Sequence, residues 1–261
     1  MTVNSAEDDK SPVRFLLLMP WGRVGSNLVS AALSRTQGIM IENEPTTAIR
    51  TIGHRNGLSK DQIGEAQIAQ LDAFLSRPVE GVAAGLKLSF RSLITPETYL
   101  ARLAAANTRP VLITRENVLK CAVSQLRARA LAVGSAPESG HWRSPWAVRR
   151  NEPKPGAMPI DVADAIRLAG VFQDAEDQMM DLAHRVFPGG WHRVEYRDLA
   201  ARPEHVLASV FAHLGLTPPD PIPVIYRKST SDDLTTDITN YGDFEAEVKA
   251  AGLGRFLSDI V

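Results

Sequence analysis

Two short stretches hold the residues whose types and spacing suggest chemistry. In "FLLLMPWGRVGSNLVSAALS", residues 15–34, an apolar run enters a turn holding Gly22, Arg23, Gly25, Ser26 and Asn27 and continues as an amphipathic helix. A strand, turn and helix in that order gather free backbone N–H groups and the positive end of the helix dipole around one concavity. The glycines admit backbone geometries closed to other residues, Ser26 and Asn27 add side-chain donors, and Arg23 adds fixed charge. Phosphate suits such a cradle. The stretch fits equally well an ordinary strand-to-helix connection with Ser26 or Asn27 as N-cap. It lacks the G-x-x-x-x-G-K-[ST] pattern of ATP and GTP hydrolases.

The second stretch is "PVLITRENVLKCAVSQLRAR", residues 110–129. A strand ends here at Arg115, and a helix carries Ser124 two turns in, so both residues can face a second anion beside the first. Taken singly, Arg115 reads as a surface residue and Ser124 as a helix hydroxyl bonded to its own backbone. Together, two anion sites at neighbouring strand ends suggest a nucleotide with phosphates on both sides of its ribose.

Four apolar runs read as buried parallel strands that would position these residues: "RFLLLM" from Arg14, "VAAGLKLSF" from Val82, "PVLIT" from Pro110 and "WHRVEY" from Trp191. Helical spacing falls between them, over 26–35, 61–75, 96–105 and 117–131, then over 160–186 as one long helix or a broken pair, and over 204–214. This alternation predicts an α/β fold, a three-layer α/β/α arrangement around a central parallel sheet. Residues 1–12 read as a loose polar tail, 13–261 as one domain, and 132–159, rich in Gly, Pro and Ser with Trp142 and Trp146, as a variable loop insertion.

Composition narrows the function classes. The 261 residues carry 29 Lys plus Arg against 30 Asp plus Glu, so no global positive field attracts nucleic acid or an anionic membrane, and any anion site must be local. Cys121 is the only cysteine and sits in a helical, apolar context, which predicts packing and excludes an internal disulfide. No apolar run reaches the ~20 residues needed to cross a bilayer, and the start lacks the pattern of a secretory signal. A cytoplasmic location is therefore expected. The histidines at 184, 192, 205 and 213 fall on predicted helices and strands without zinc-site spacing, so no metal is expected.

"GRVGSNLV" resembles the 5′-phosphosulfate loop of the sulfotransferases that use 3′-phosphoadenylyl sulfate (PAPS), usually [RK]-[ST]-G-[ST]-[ST]. "LITRENVLKCAVSQLRA" resembles their 3′-phosphate segment in its bacterial and carbohydrate-directed form. "HRVEYRDLAARPEHVLASVFAHLGL" and "RKSTSDDLTTDITNYGDFEAEVKAAGLGRFL" are similar to the family's downstream segments, so the likeness runs from about residue 14 to the end, apart from the variable middle. The loop departs from the pattern at Val24 and Asn27, where hydroxyl residues are common, leaving more of the work to backbone donors.

The resemblance implies a P-loop-like sulfotransferase fold and transfer of a sulfuryl group from PAPS to an acceptor hydroxyl, with a carbohydrate or glycolipid as the first expectation. It implies donor binding by Arg23, Val24, Gly25, Ser26 and Asn27 at one end and by Arg115, Ser124, Tyr196, Lys228 and Ser229 at the other. Arg23 and Lys87 would stabilise charge on the leaving phosphate, and Glu44 would take the acceptor proton, with Glu42, His54 and Ser89 as alternatives. The loops at 45–60 and 132–159 would shape the acceptor pocket, the tryptophans and arginines of the second suiting an acceptor lid and equally a packing or oligomer contact. A small-molecule kinase with a degenerate phosphate loop and a non-catalytic nucleotide-binding protein are the competing readings. The oligomeric state is open, a homodimer included.

Overall fold

The structure, a computed structural model, describes residues 12–134, 146–227, 230–231 and 233–258. Five strands form one parallel sheet: β1 (Val13–Met19), β2 (Ile39–Asn43), β3 (Ala83–Ser89), β4 (Arg109–Thr114) and β6 (His192–Glu195), in the order β2-β3-β1-β4-β6. The expected α/β class and helix-covered parallel sheet are therefore observed. Four of these strands are those read from the sequence; β2 is an addition. A separate antiparallel pair joins β5 (Val148–Arg149) to β7 (Tyr226–Arg227).

Period-two alternation explains why β1 is apolar throughout. Leu16 and Leu18 point into one core with Leu86, Leu88 and Leu112, and Phe15, Leu17 and Met19 into the core on the opposite face. Phe15 pairs in register with Gly85 of β3, and a Cβ at Gly85 would lie 2.3 Å from the Phe15 ring. The glycine is where the ring lies.

The helices are α1 (Ser26–Ser34), α2 (Pro45–Arg55), α3 (Lys60–Ser76), α4 (Pro96–Ala105), α5 (Val118–Gly134), α6 (Val162–Val186), α7 (Tyr196–Ala201), α8 (Pro203–Leu214) and α9 (Tyr241–Ala250). α1, α5, α8 and α9 pack on the Phe15 face, whereas α3 and α4 pack on the Leu16 face. The chain moves outward from β1 to β2 through α1 on the first face, then returns through α3 and α4 on the second. This keeps one handedness, as parallel crossovers require. From β4 it enters α5 on the first face and must still reach β6 from the second. α6 makes that passage: Ala165, Leu168 and Phe172 lie in the first core, Met179, Leu182 and Ala183 in the second. It is one unbroken helix of 25 residues, which settles the choice between a long helix and a broken pair.

Two further expectations are corrected. Residues 45–55 form α2, not part of a loop. Pro45 presets the first helical turn, and the buried Gln67 pins the helix by donating to the carbonyls of Thr46 (3.0 Å) and Ser92 (2.8 Å). Tyr196 opens α7 and does not lie on the strand. Among the described residues, no helix is long and apolar enough to cross a membrane.

Near the starts of β4 and β6 the rings of His192 and His213 stack, 5.4 Å between centroids and 24° between planes, with His192 Nε2 against Ser209 Oγ (3.0 Å) and His213 Nε2 against the Pro110 carbonyl (3.1 Å). Burial holds both below the ordinary histidine value, assisted by His213 for His192 and by Arg109 for His213. The unfolded chain then binds protons more readily than the folded one. Stability is full above about pH 6.5 and falls as the pH drops through that value toward the lower folded pKa values. We expect the Tm to decline between pH 7.5 and 5.5 and the decline to flatten in a His192→Asn/His213→Asn variant, as read by thermal melts across that range.

Candidate functional site

The strand order puts the C-terminal ends of β1 and β4 side by side, with their connections departing toward opposite edges of the sheet. That is the crevice where open α/β sheets bind ligands. The turn after β1 delivers residues 20–25 there, and the turn after β4 delivers Arg115.

Gly25 has φ 86°, a left-handed conformation in which a side chain is strained, and a Cβ on it would lie 2.9 Å from Leu199 and 3.0 Å from Tyr196. The loop therefore lies directly against the start of α7. Among the described residues no side chain caps α1, whose N-cap is Gly25, and its first turn holds no acidic residue. This removes the N-cap reading of Ser26 and Asn27 and leaves the first-turn amides directed at the crevice. Val24 is 1% exposed and packs in the core, so its side chain takes no part in the cavity and its contribution is confined to backbone.

Arg115 is 6% exposed. Its guanidinium lies 4.0 Å from the centroid of the Tyr196 ring and donates to the Arg23 carbonyl at 3.1 Å. Among the described residues no carboxylate forms an ion pair with it, so it is a buried cation held by a ring face and a carbonyl. Arg23, itself at φ 75°, sends its Nε to Ser124 Oγ at 2.9 Å and its Nη1 to the Trp146 carbonyl. Burial, then the nearby Arg115 charge, pushes the Arg23 guanidinium down to about 10. Its charge was expected over the first cradle; its hydrogen bonds hold it against Ser124, beside the second.

A cavity of about 340 Å³ brings Arg23, Gly25, Ser26, Asn27, Arg115, Ser124 and Tyr196 together, within the roughly 300–1,000 Å³ typical of small-molecule sites. The sequence reading missed Lys154, Tyr226 and Arg227, which with Arg150 form a further wall of this cavity, from the β5–β7 pair and the segment between β5 and α6. No carboxylate is among the described lining residues. The only sequence signal for this wall was the run of arginines after Trp146, assigned there to an acceptor lid. The structure brings Trp146 and Arg150 to the cavity of Arg115 and Tyr196. Arg127 anchors the wall by donating to the carbonyls of Pro155 (3.1 Å), Gly156 (3.0 Å) and Asp237, with Asp237 Oδ1 at 3.5 Å.

Lys87 and Glu44 lie outside this cavity but are tied to it. Lys87, 4% exposed at the end of β3, donates to Asn27 Oδ1 at 2.5 Å and lies 3.2 Å from Glu44 Oε1. Glu44 ends the β2 segment in a left-handed conformation, φ 49°, held by its N–H to the Lys87 carbonyl at 2.7 Å. Of the alternatives, Glu42 faces α3 and accepts from Gln70 (2.9 Å) and Arg77 (3.1 Å), while His54 is exposed in the last turn of α2. Ser89 is buried at the end of β3. Lys228, Ser229 and Trp142 lie outside the described residues, as do residues 1–11 of the expected tail and 135–145 of the expected loop insertion. Cys121 is buried, and burial pushes its thiol up to about 11. No group of three His, Cys, Asp or Glu among the described residues is placed to hold a metal ion.

No family model and no curated protein matches the sequence. Among solved structures, the chain is similar to a sulfotransferase from Alicyclobacillus acidocaldarius, with a TM-score of 0.50 and 13% identity over 94% of this chain and 96% of that one. The sulfotransferase domain of the Synechococcus PCC 7002 olefin synthase matches with a TM-score of 0.45 and 13% identity, over 82% and 78%. The sulfotransferase domain from the curacin biosynthetic pathway matches with 0.42 and 15%, over 79% and 75%. The first of these shows a shared fold along nearly the whole chain.

Replacing Gly25 with alanine should strain the loop and push Tyr196 and Leu199 aside. We expect a loss of about 1–3 kcal/mol in stability, measured by denaturant unfolding, with a change in the near-ultraviolet signal of Tyr196.

Proposed function

We propose that this chain is a sulfotransferase that moves a sulfuryl group from PAPS to an acceptor hydroxyl of a carbohydrate or glycolipid. The observation that carries the reading is the buried Arg115 guanidinium, stacked on Tyr196 and, among the described residues, without a carboxylate partner or a side chain capping the adjacent N-terminus of α1. A protein with a formal net charge of −1 that gathers Arg23, Arg115, Arg150, Lys154 and Arg227 around one cavity is built for a multiply charged anion there. The donor fits that chemistry. The amides of α1 with Ser26 and Asn27, and the backbone at Val24, would hold its 5′-phosphosulfate. Arg115, Ser124 and Arg23 would hold its 3′-phosphate, and Tyr196 would border the adenine. Lys228 and Ser229, next after Arg227, are assigned to the 3′-phosphate on the sequence resemblance.

Bound there, the donor supplies an activated sulfuryl group whose departure leaves negative charge on the 5′-phosphate. The α1 amides oppose that charge, and the Lys87 ammonium, fixed by Asn27 and Glu44, adds a cation at the same helix end. Glu44 accepts the proton of the attacking hydroxyl. Its strained backbone and its contact with Lys87 hold the carboxylate beside the cradle, as a base poised at a fixed point requires. Arg23 serves the 3′ end, with Lys87 taking the place at the leaving oxygen first expected of both. The catalytic unit is taken as residues 13–261, acting in the cytoplasm.

Incubation with sulfur-labelled PAPS and a panel of glycans, glycolipids and small alcohols tests the reading by transfer of label. Glu44→Gln should lower kcat by about 10²–10⁴-fold while leaving affinity for adenosine 3′,5′-bisphosphate intact. Arg115→Ala should weaken that affinity on the order of 10²-fold. Label transfer indifferent to both substitutions would overturn the assignment.

A further inference from the structure

The turn that presents Arg115 is itself held by acidic side chains that play no part in the mechanism above. β4 and β6 pair in parallel, with Thr114 opposite Glu195. One oxygen of Glu195 accepts from the Thr114 hydroxyl at 2.7 Å and the other from the backbone N–H of Glu116 at 3.0 Å. Thr114 and Glu116 flank Arg115, and Glu195 immediately precedes Tyr196. One carboxylate thus bridges the neighbours of both members of the Arg115–Tyr196 stack.

The bridge is oriented from behind. Arg193 Nε donates to the Thr114 hydroxyl at 2.9 Å, which leaves that hydroxyl's proton for Glu195, and Arg193 Nη2 lies 3.4 Å from both Glu195 and Glu176. Thr114 is fully buried, and the side chains of Glu176 and Glu195 are 11% and 16% exposed. Glu176 comes from the middle of α6, the helix that passes from one face of the sheet to the other.

The first cradle is made of backbone at a helix end, where the fold fixes the donors. The second is made of the side chains Arg115, Arg23 and Ser124, because Glu195 already occupies the amide after Arg115. Side-chain donors hold a phosphate well only if their own positions are locked. We infer that Glu195, backed by Arg193 and Glu176, is a positioning residue: its carboxylate ties the ends of β4 and β6 and thereby seats the Arg115 guanidinium on the Tyr196 ring. The inference takes its ligand from the proposed function but its geometry from the stack alone.

The test uses the full chain carrying Glu195→Gln, Thr114→Val and Thr114→Ser. Gln keeps the shape of Glu195 with one oxygen acceptor in place of two, Val removes the hydroxyl, and Ser restores it. The first readout is the ring-current shift of the Arg115 δ-methylene protons by NMR without ligand. The second is calorimetric affinity for adenosine 3′,5′-bisphosphate and for adenosine 5′-monophosphate. We expect Glu195→Gln and Thr114→Val to lose the upfield shift and to weaken bisphosphate binding at least tenfold, with the monophosphate little affected and Thr114→Ser close to the parent. An unchanged ring-current shift in folded Glu195→Gln and Thr114→Val, with only a lowered Tm, would overturn the inference and leave Glu195 as a stabilising contact. If the parent binds no bisphosphate, the proposed function fails, while the ring-current comparison still decides the role of Glu195.

Discussion

A buried guanidinium with no carboxylate partner among the described residues is the constraint on which the rest of this structure turns. Leaving a charge unpaired out of water costs several kcal/mol, and among the described residues Arg115 is held by a tyrosine ring and the Arg23 carbonyl at the end of a strand. Such an arrangement is compensated when an anion arrives. The surroundings fit the proposed anion site: strand order brings the β1 turn beside it, Gly25 lets that turn lie against Tyr196, and among the described residues no side chain caps α1. Packing keeps the cavity open and charge decides what enters it.

The positive charge is local. The whole chain is close to neutral, so attraction must come from the convergence of a few cations, and three of them arrive on chain segments remote from the strand ends. Arg127, buried within α5, holds one of these segments by its backbone carbonyls. The other end of the cleft is organised around Lys87, which touches both the first helix and Glu44. Asn27 is therefore the joint between the anion cavity and the carboxylate proposed to move a proton. Its amide oxygen accepts from Lys87, something a Ser or Thr at this position would do at shorter reach.

Much of this was legible in the sequence where burial made the pattern loud. The strands β1, β3, β4 and β6 are covered on one or both faces and read as apolar runs, and the glycine turn and Arg115 stand at their ends. β2 was silent because it is an edge strand: Met40 is 56% exposed and Glu42 is tied to α3, so five mixed residues carry no clear period. α2 was hidden by its β-branched threonines and isoleucines, weak helix formers that Pro45 and Gln67 override. Of the cationic wall only the arginine run after Trp146 was legible, without the cavity that it lines. β5 and β7 are two residues each, pair only through the folded chain, and bring Arg150, Lys154 and Arg227 to a cavity that no local spacing announces. Residue type suggested what Arg23 does, but only the hydrogen bonds to Ser124 and Trp146 show which end of the cleft its charge serves.

The most direct test is a crystal structure of the protein with adenosine 3′,5′-bisphosphate. The account predicts the 5′-phosphate on the amides of residues 25–27, the 3′-phosphate against Arg115 and Ser124, and the adenine beside Tyr196. A nucleotide bound elsewhere, or with its two phosphates exchanged between those positions, would contradict it.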